Sequence, residues 1–240
     1  MLVVSLIFGV VVCFFLPIIG LIFLMIRKKG TGKAFLFGVL AFTISQFVIR
    51  IPILTLVLPQ YAWFNILSIQ PWKYGLFLGL TAGVMEEGAR WIAIRFFLKG
   101  RTDLGHGLAF GLGHGGIEAM VLVGLNLAAA LIMIIVGQGA LLPATPLMAF
   151  FAGYERLMTM GFHIGASLIV MYGIRVGKEF RYLIAAIVLH TIMDAAVVVL
   201  SAVYHVGSVG IELYCTAVGI ITLAAGMYLY CRKIDRVKIN

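Results

Sequence analysis

Glutamate, histidine and aspartate recur at one-turn spacing inside apolar stretches of this chain, where charged side chains are expensive. Glu86-Glu87-Gly-Ala-Arg90 opens the set. On a helix, Arg90 lies three residues from Glu87 and four from Glu86, so it can pair with either. It can neutralise only one of them. The other needs a partner from another helix, a metal, or a bound proton. His114 and Glu118 follow, four apart, after Phe110-Gly-Leu-Gly. Glu155, Thr159 and His163 form a stripe spaced by four, and His190 and Asp194 are again four apart. An ionisable group at mid-bilayer costs about 2.5–3.5 kcal/mol even on insertion scales, and such groups usually face a bundle interior and serve a function. Imidazoles with carboxylates suit zinc, and three protein ligands plus a water make a hydrolytic site in which a spare glutamate takes the water's proton. Other hydrolase signatures are absent: there is no His-Glu-x-x-His, no Gly-x-Ser-x-Gly, and no second aspartate in the core beside Asp194.

The elements that must carry these residues are membrane helices. Of 240 residues, 63% are hydrophobic and 11% charged, with mean hydropathy +1.13. A soluble domain carries about a quarter charged residues. The expected fold is all-α, a polytopic bundle of about seven transmembrane helices forming one integral membrane domain over 1–240, with the motif-bearing helices within 72–203. Seven stretches are long enough to span ~30 Å of hydrocarbon: Leu2–Ile26, Ala34–Leu56, Trp72–Leu98, Gly105–Val136, Glu155–Ile174, Tyr182–Val203 and Ser208–Tyr230. The first is read as a retained helix rather than a signal peptide, because it lacks a positive n-region and is too long. Gly107, Gly111 and Gly115 give the fourth span a smooth face for close packing.

Net charge is +9, and the basic residues cluster in alternate loops: Arg27, Lys28, Lys29 and Lys33; Lys99 and Arg101; Arg175, Lys178 and Arg181; then Arg232, Lys233, Arg236 and Lys238. That alternation puts the N-terminus outside and the C-terminus inside, and makes nucleic acid an unneeded explanation of the charge. Cys13, Cys215 and Cys231 form neither a disulfide framework nor a metal-spaced pair. With the fifth span starting at Glu155, Glu155 and Arg156 fall at the headgroups. Glu86, Glu118, His163, His190 and Asp194 then share the middle third of the membrane. Arg50, Arg95 and Lys99 are expected to snorkel, His106 and His205 to be solvated at the interfaces, and Glu212 to sit near an outer end.

Glu86-Glu87-x-x-Arg90, Gly-Leu-Gly-His114-x-x-x-Glu118, His163 and His190-x-x-x-Asp194, taken together over roughly Thr81 to Val199, resemble the YhfC family of intramembrane metalloproteases. That family is related to PrsW and to the type II CAAX-prenyl-protease and bacteriocin-processing superfamily. The resemblance implies an endopeptidase of the bacterial plasma membrane that hydrolyses a membrane-embedded or membrane-proximal protein or peptide with a metal-activated water. By that resemblance Glu86 and Glu87 activate water beside Arg90, Glu118, His163 and His190 bind one zinc per chain, and Asp194 supports His190 or the oxyanion. The fourth-span motif satisfies two patterns in the superfamily, Phe110 with His114 and His114 with Glu118. Two other functions compete: a proton- or cation-coupled transporter, which the lack of an inverted repeat disfavours, and a non-catalytic scaffold or immunity protein.

Overall fold

The computed structural model describes residues 1–141 and 144–231. The basic tail residues Arg232, Lys233, Arg236 and Lys238 lie outside the described residues. Among those described, the chain is helical without strands, and we number the helices α1 Leu2–Arg27, α2 Thr31–Gln60, α3 Ala62–Ser68, α4 Pro71–Ile92, α5 Leu104–Ile135, α6 Pro146–Arg175, α7 Glu179–Ala202 and α8 Ser208–Cys231. A π-helical turn over Ala93–Phe97 extends α4. Six of these helices are long and apolar enough to cross a membrane. The short α3 is one exception. The other is α4, which has the length of a span but carries Lys73, Glu86, Glu87, Arg90 and Arg95. The protein is thus a multi-pass membrane helix bundle, and its most polar long helix is the one that opens the reactive set.

One boundary differs from expectation by nine residues. The fifth span begins at Pro146, with Thr145 capping it: the Thr145 hydroxyl accepts from the Met148 N–H at 3.2 Å. Proline at the first helical position and threonine before it make a strong start. The 30-residue helix is about 45 Å long, longer than the hydrocarbon core. Glu155 and Arg156 therefore lie about two and a half turns inside it, not at the headgroups.

Helices α5 and α6 form the centre, with α2 on one side and α4, α7 and α8 on the other. An added Cβ at Gly107, Gly111 or Gly115 would meet Leu168, Ile164 and Met160 of α6, so the glycine face seats that helix, as its spacing predicts. A second face works the same way: Gly113 abuts the Phe35 backbone, and Gly38 of α2 abuts Phe110. α5 thus packs backbone-close on two sides. His114, between the two faces, is fully buried.

The basic loops meet at one end of the bundle. Lys28 lies 2.7 Å from Asp103, Tyr230 donates to the Thr102 carbonyl at 3.0 Å, and Arg175 covers the Tyr230 ring. Burial pushes the Asp103 carboxyl up, but hydrogen bonds from Lys28 and His106 outweigh it and hold the group below the usual carboxylate range. At the opposite end Trp72 packs on Tyr204. Wide π-helical turns interrupt α1, α2 and α5, one of them over Ala119–Gly124, directly after Glu118. Such turns are frequent at functional sites.

Candidate metal centre

Four helices bring their polar residues to one place. Arg90 and Glu87 of α4 are fully buried, with Arg90 Nε 3.0 Å from Glu87 Oε2. The rest of the guanidinium reaches α6: Nη1 donates to the His163 carbonyl at 2.7 Å and to Ser167 Oγ, and Nη2 donates to His163 Nδ1 at 3.0 Å. Arg90 is thereby a staple between α4 and α6. Glu87 Oε1, its other oxygen, accepts from His190 Nδ1 at 2.8 Å and ties in α7.

These contacts fix the imidazole tautomers. Arginine only donates, so His163 Nδ1 must accept, and the ring's proton sits on Nε2. Nε2 is 2.5 Å from Glu118 Oε2, which takes that proton's direction. His190 is the opposite case. Its Nδ1–H is held by Glu87, so in the neutral ring the lone pair lies on Nε2. That nitrogen faces Glu86 Oε2 and Asp194 Oδ2, each at 3.7 Å. Glu86 Oε2 is also 3.0 Å from His114 Nε2, while His114 Nδ1 is buried without a partner. A carboxylate oxygen and two ring nitrogens thus converge, and a proton or a cation between them satisfies all three.

The ligand chemistry and spacing fit a divalent cation of borderline softness. Donor atoms of Glu86, His114 and His163 lie within 4.8 Å of one another, and His190 Nε2 lies 3.7 Å from Glu86 Oε2. Nitrogen and oxygen donors with metal–ligand bonds near 2.0–2.2 Å are typical of zinc. Glu86, His163 and His190 border a cavity of about 140 Å³, lined also by Glu118 and Asp194, with Glu155, Arg156, Thr159 and four apolar or thiol side chains at its wall. It is large enough for several waters. Three larger grooves, of about 410–470 Å³, are apolar and lie on the outer faces of the helices, away from this chemistry.

The candidate catalytic and metal-ligating residues read from the sequence lie at this centre. Glu86, Glu87, Arg90, Glu118, His163, His190 and Asp194 form one connected network, with His114 inside it. Asp194 is the most open of them, its side chain 41% exposed. Arg156 belongs here too, contrary to its expected place at the headgroups. Its Nη1 is 2.6 Å from Glu118 Oε1, and Nη2 pairs with Glu155. The Thr145-Pro146 start signal would have revealed it, by moving Arg156 to mid-helix. Arg50 does not snorkel: it donates to Gln46 Oε1 at 3.0 Å, Thr81 Oγ1 at 3.2 Å and the Leu78 carbonyl at 2.7 Å, joining α2 to α4. His106 is buried against Asp103 rather than solvated, and Glu212 is buried on α8. Arg95 stays at the surface, 3.2 Å from Glu179, and His205 is exposed.

Residues 12–222 match the family described as YhfC intramembrane metalloprotease. An uncharacterized membrane protein, YhfC of Bacillus subtilis (strain 168), is 31% identical over 209 residues, which cover 78% of this chain and 80% of that protein. No solved structure matches.

Proposed function

Since the chain belongs to the YhfC intramembrane metalloprotease family, we propose that its polar centre hydrolyses a peptide bond of a membrane-embedded or membrane-proximal substrate. The observation that carries this reading is the convergence of two ring nitrogens on one oxygen of Glu86: His114 Nε2 at 3.0 Å and, at 3.7 Å, His190 Nε2, whose ring is oriented by Glu87. A carboxylate that orients a histidine whose other nitrogen points into a water-sized cavity is the usual support of a metal-ligating imidazole.

Glu86, His114 and His190 would hold the cation, taken here as one zinc per chain. It would polarise the peptide carbonyl and acidify a water. Glu87 cannot take a proton from that water, because both its oxygens are engaged by Arg90 and His190. Glu118 is engaged likewise by His163 and Arg156. Asp194, at the cavity wall with one side chain face open, is the carboxylate left to accept the water's proton and return it to the leaving amine. Arg90 keeps Glu87 ionised and so keeps the His190 proton on Nδ1. His163 and Glu118, which the family resemblance casts as ligands, act on this reading as a hydrogen-bonding pair behind the ligands.

The test is bound metal, measured by mass spectrometry on detergent-purified protein after reloading with zinc. About one zinc per chain is expected in the wild type and in Asp194→Asn, and none in the combined His114→Ala/His190→Ala variant. His163→Gln should keep its zinc. A folded wild type that takes up no zinc overturns the metal assignment. Zinc retained without His114 and His190 overturns the ligand set. Cleavage of fluorogenic transmembrane peptides in liposomes by wild type and not by Asp194→Asn would establish the hydrolase.

A further inference from the structure

At the basic end of the bundle, well away from the polar centre, two loops build a second site. Gly30 caps the N-terminus of α2 with φ +88°, and no side chain accepts from the first-turn N–H groups. The terminus of a helix of this length presents those N–H groups and a partial positive charge. Two side chains from the other loop converge on it. A Cβ placed on Gly30 would lie 2.7 Å from Arg101 Nη1 and 3.1 Å from His106 Nε2. His106 is 97% buried, and its Nε2 has no partner. Its Nδ1 is held by Asp103 at 2.7 Å. Among the described residues no carboxylate pairs with Arg101. Asp103, two residues away in the same loop, is already engaged by Lys28, His106 and the Gly105 N–H. Glycine at position 30 keeps the point of convergence open.

We propose that this is a binding site for a phosphate group, held by the α2 N-terminus, Arg101 and His106. In the imidazolium form both ring nitrogens donate, Nδ1 to Asp103 and Nε2 to the phosphate. Arg101, exposed and unpaired, closes over the anion with a forked pair of N–H donors. Lys29 and Lys33, exposed beside it, raise the local anion concentration without touching the site. The place fits a phospholipid headgroup, since the site lies at the end of membrane helices, where basic pockets recognise anionic lipid. Free phosphate offers the same oxygens.

Thermal unfolding of the full chain in neutral detergent tests this, with phosphatidylglycerol, phosphatidylcholine and inorganic phosphate titrated separately. Phosphatidylglycerol should raise the melting temperature and phosphatidylcholine should not. Arg101→Gln should weaken the phosphatidylglycerol effect about tenfold in apparent affinity, the usual scale of one charge-assisted bond. His106→Gln and Gly30→Ala should do the same, and the exposed Arg101 variant carries the test if either fails to fold. Lys29→Gln/Lys33→Gln removes more charge and should cost less. Stabilisation by inorganic phosphate alone, lost in Arg101→Gln, identifies the occupant as soluble phosphate. The site is overturned if neither ligand stabilises, if Arg101→Gln responds as wild type does, or if Lys29→Gln/Lys33→Gln loses as much, which would mean diffuse surface charge.

Discussion

Glu86, Glu87, Glu118 and Asp194 all reach the polar centre, and their partners divide them into two kinds. Glu87 and Glu118 each lean on an arginine and a histidine, whereas Glu86 and Asp194 line the cavity with histidines alone as ion-pair partners among the described residues. The two arginines therefore determine which carboxylates stay free to react. Arg90→Ala would strand a fully buried Glu87 and leave Ser167 Oγ and His163 Nδ1 without their donor, while the His163 carbonyl keeps the Ser167 hydroxyl. Breaking a buried pair from one side costs about 3–5 kcal/mol, so this variant should unfold far earlier than wild type on heating in detergent. Glu87→Gln is the milder change. It keeps shape but leaves the buried Arg90 charge with only neutral partners and no longer enforces the Nδ1–H form of His190, so the melting temperature should fall, though less than in Arg90→Ala, and zinc affinity should fall about 10–100-fold, the usual cost of losing such a partner. A variant that melts early yet binds zinc normally would make Glu87 a purely structural group.

At the scale of elements, the glycines separate two kinds of helix face. Gly38 and Gly113 sit where α2 and α5 touch backbone to backbone, and a methyl group at either meets a carbonyl that cannot move aside. Gly38→Ala or Gly113→Ala should destabilise by about 1–3 kcal/mol or more, the cost of overpacking. Gly88, between Glu87 and Arg90 in sequence, is different: an added Cβ there meets nothing within 4 Å. Gly88→Ala should leave the melting temperature unchanged or raise it slightly, and equal losses at positions 88 and 113 would contradict the packing. The glycine spacing on α5 was legible in the sequence, as were the starts of six of the seven long helices to within a few residues, because apolar length and charge mark where such helices begin. The start of α6 was missed because the charged pair Glu155-Arg156 reads as a membrane boundary, although the apolar run Pro146–Tyr154 before it and the Thr-Pro cap were there to read. The partners of Arg50 and His106 were not legible. A lone basic residue near a helix end snorkels or pairs inward depending on which helix lies beside it, and sequence spacing along one helix does not say.

For the whole molecule, the distribution of charge makes the strongest statement. The one helix too polar to count as a span by composition, α4, lies against α2, α6 and α7, so its Glu-Glu-Arg is enclosed by neighbours and needs no contact with lipid. That is how a bundle this apolar keeps a charged centre: the arginines neutralise two carboxylates, and the histidines take up the rest. The loops carry the complementary pattern. Those joined through Lys28–Asp103 and Tyr230–Thr102 hold the basic residues, and the Trp72–Tyr204 end holds almost none. The positive-inside rule predicts an orientation from this pattern, in which the proposed phosphate site would face the cytoplasmic leaflet. Single cysteines read this directly, with Cys13, Cys215 and Cys231 first replaced. In right-side-out vesicles a membrane-impermeant maleimide should label Gln138→Cys and His205→Cys at once, and Lys29→Cys only after permeabilisation. The reverse pattern would place Arg101 and His106 at the outer leaflet and would show that the charged centre, rather than the loops, governs insertion.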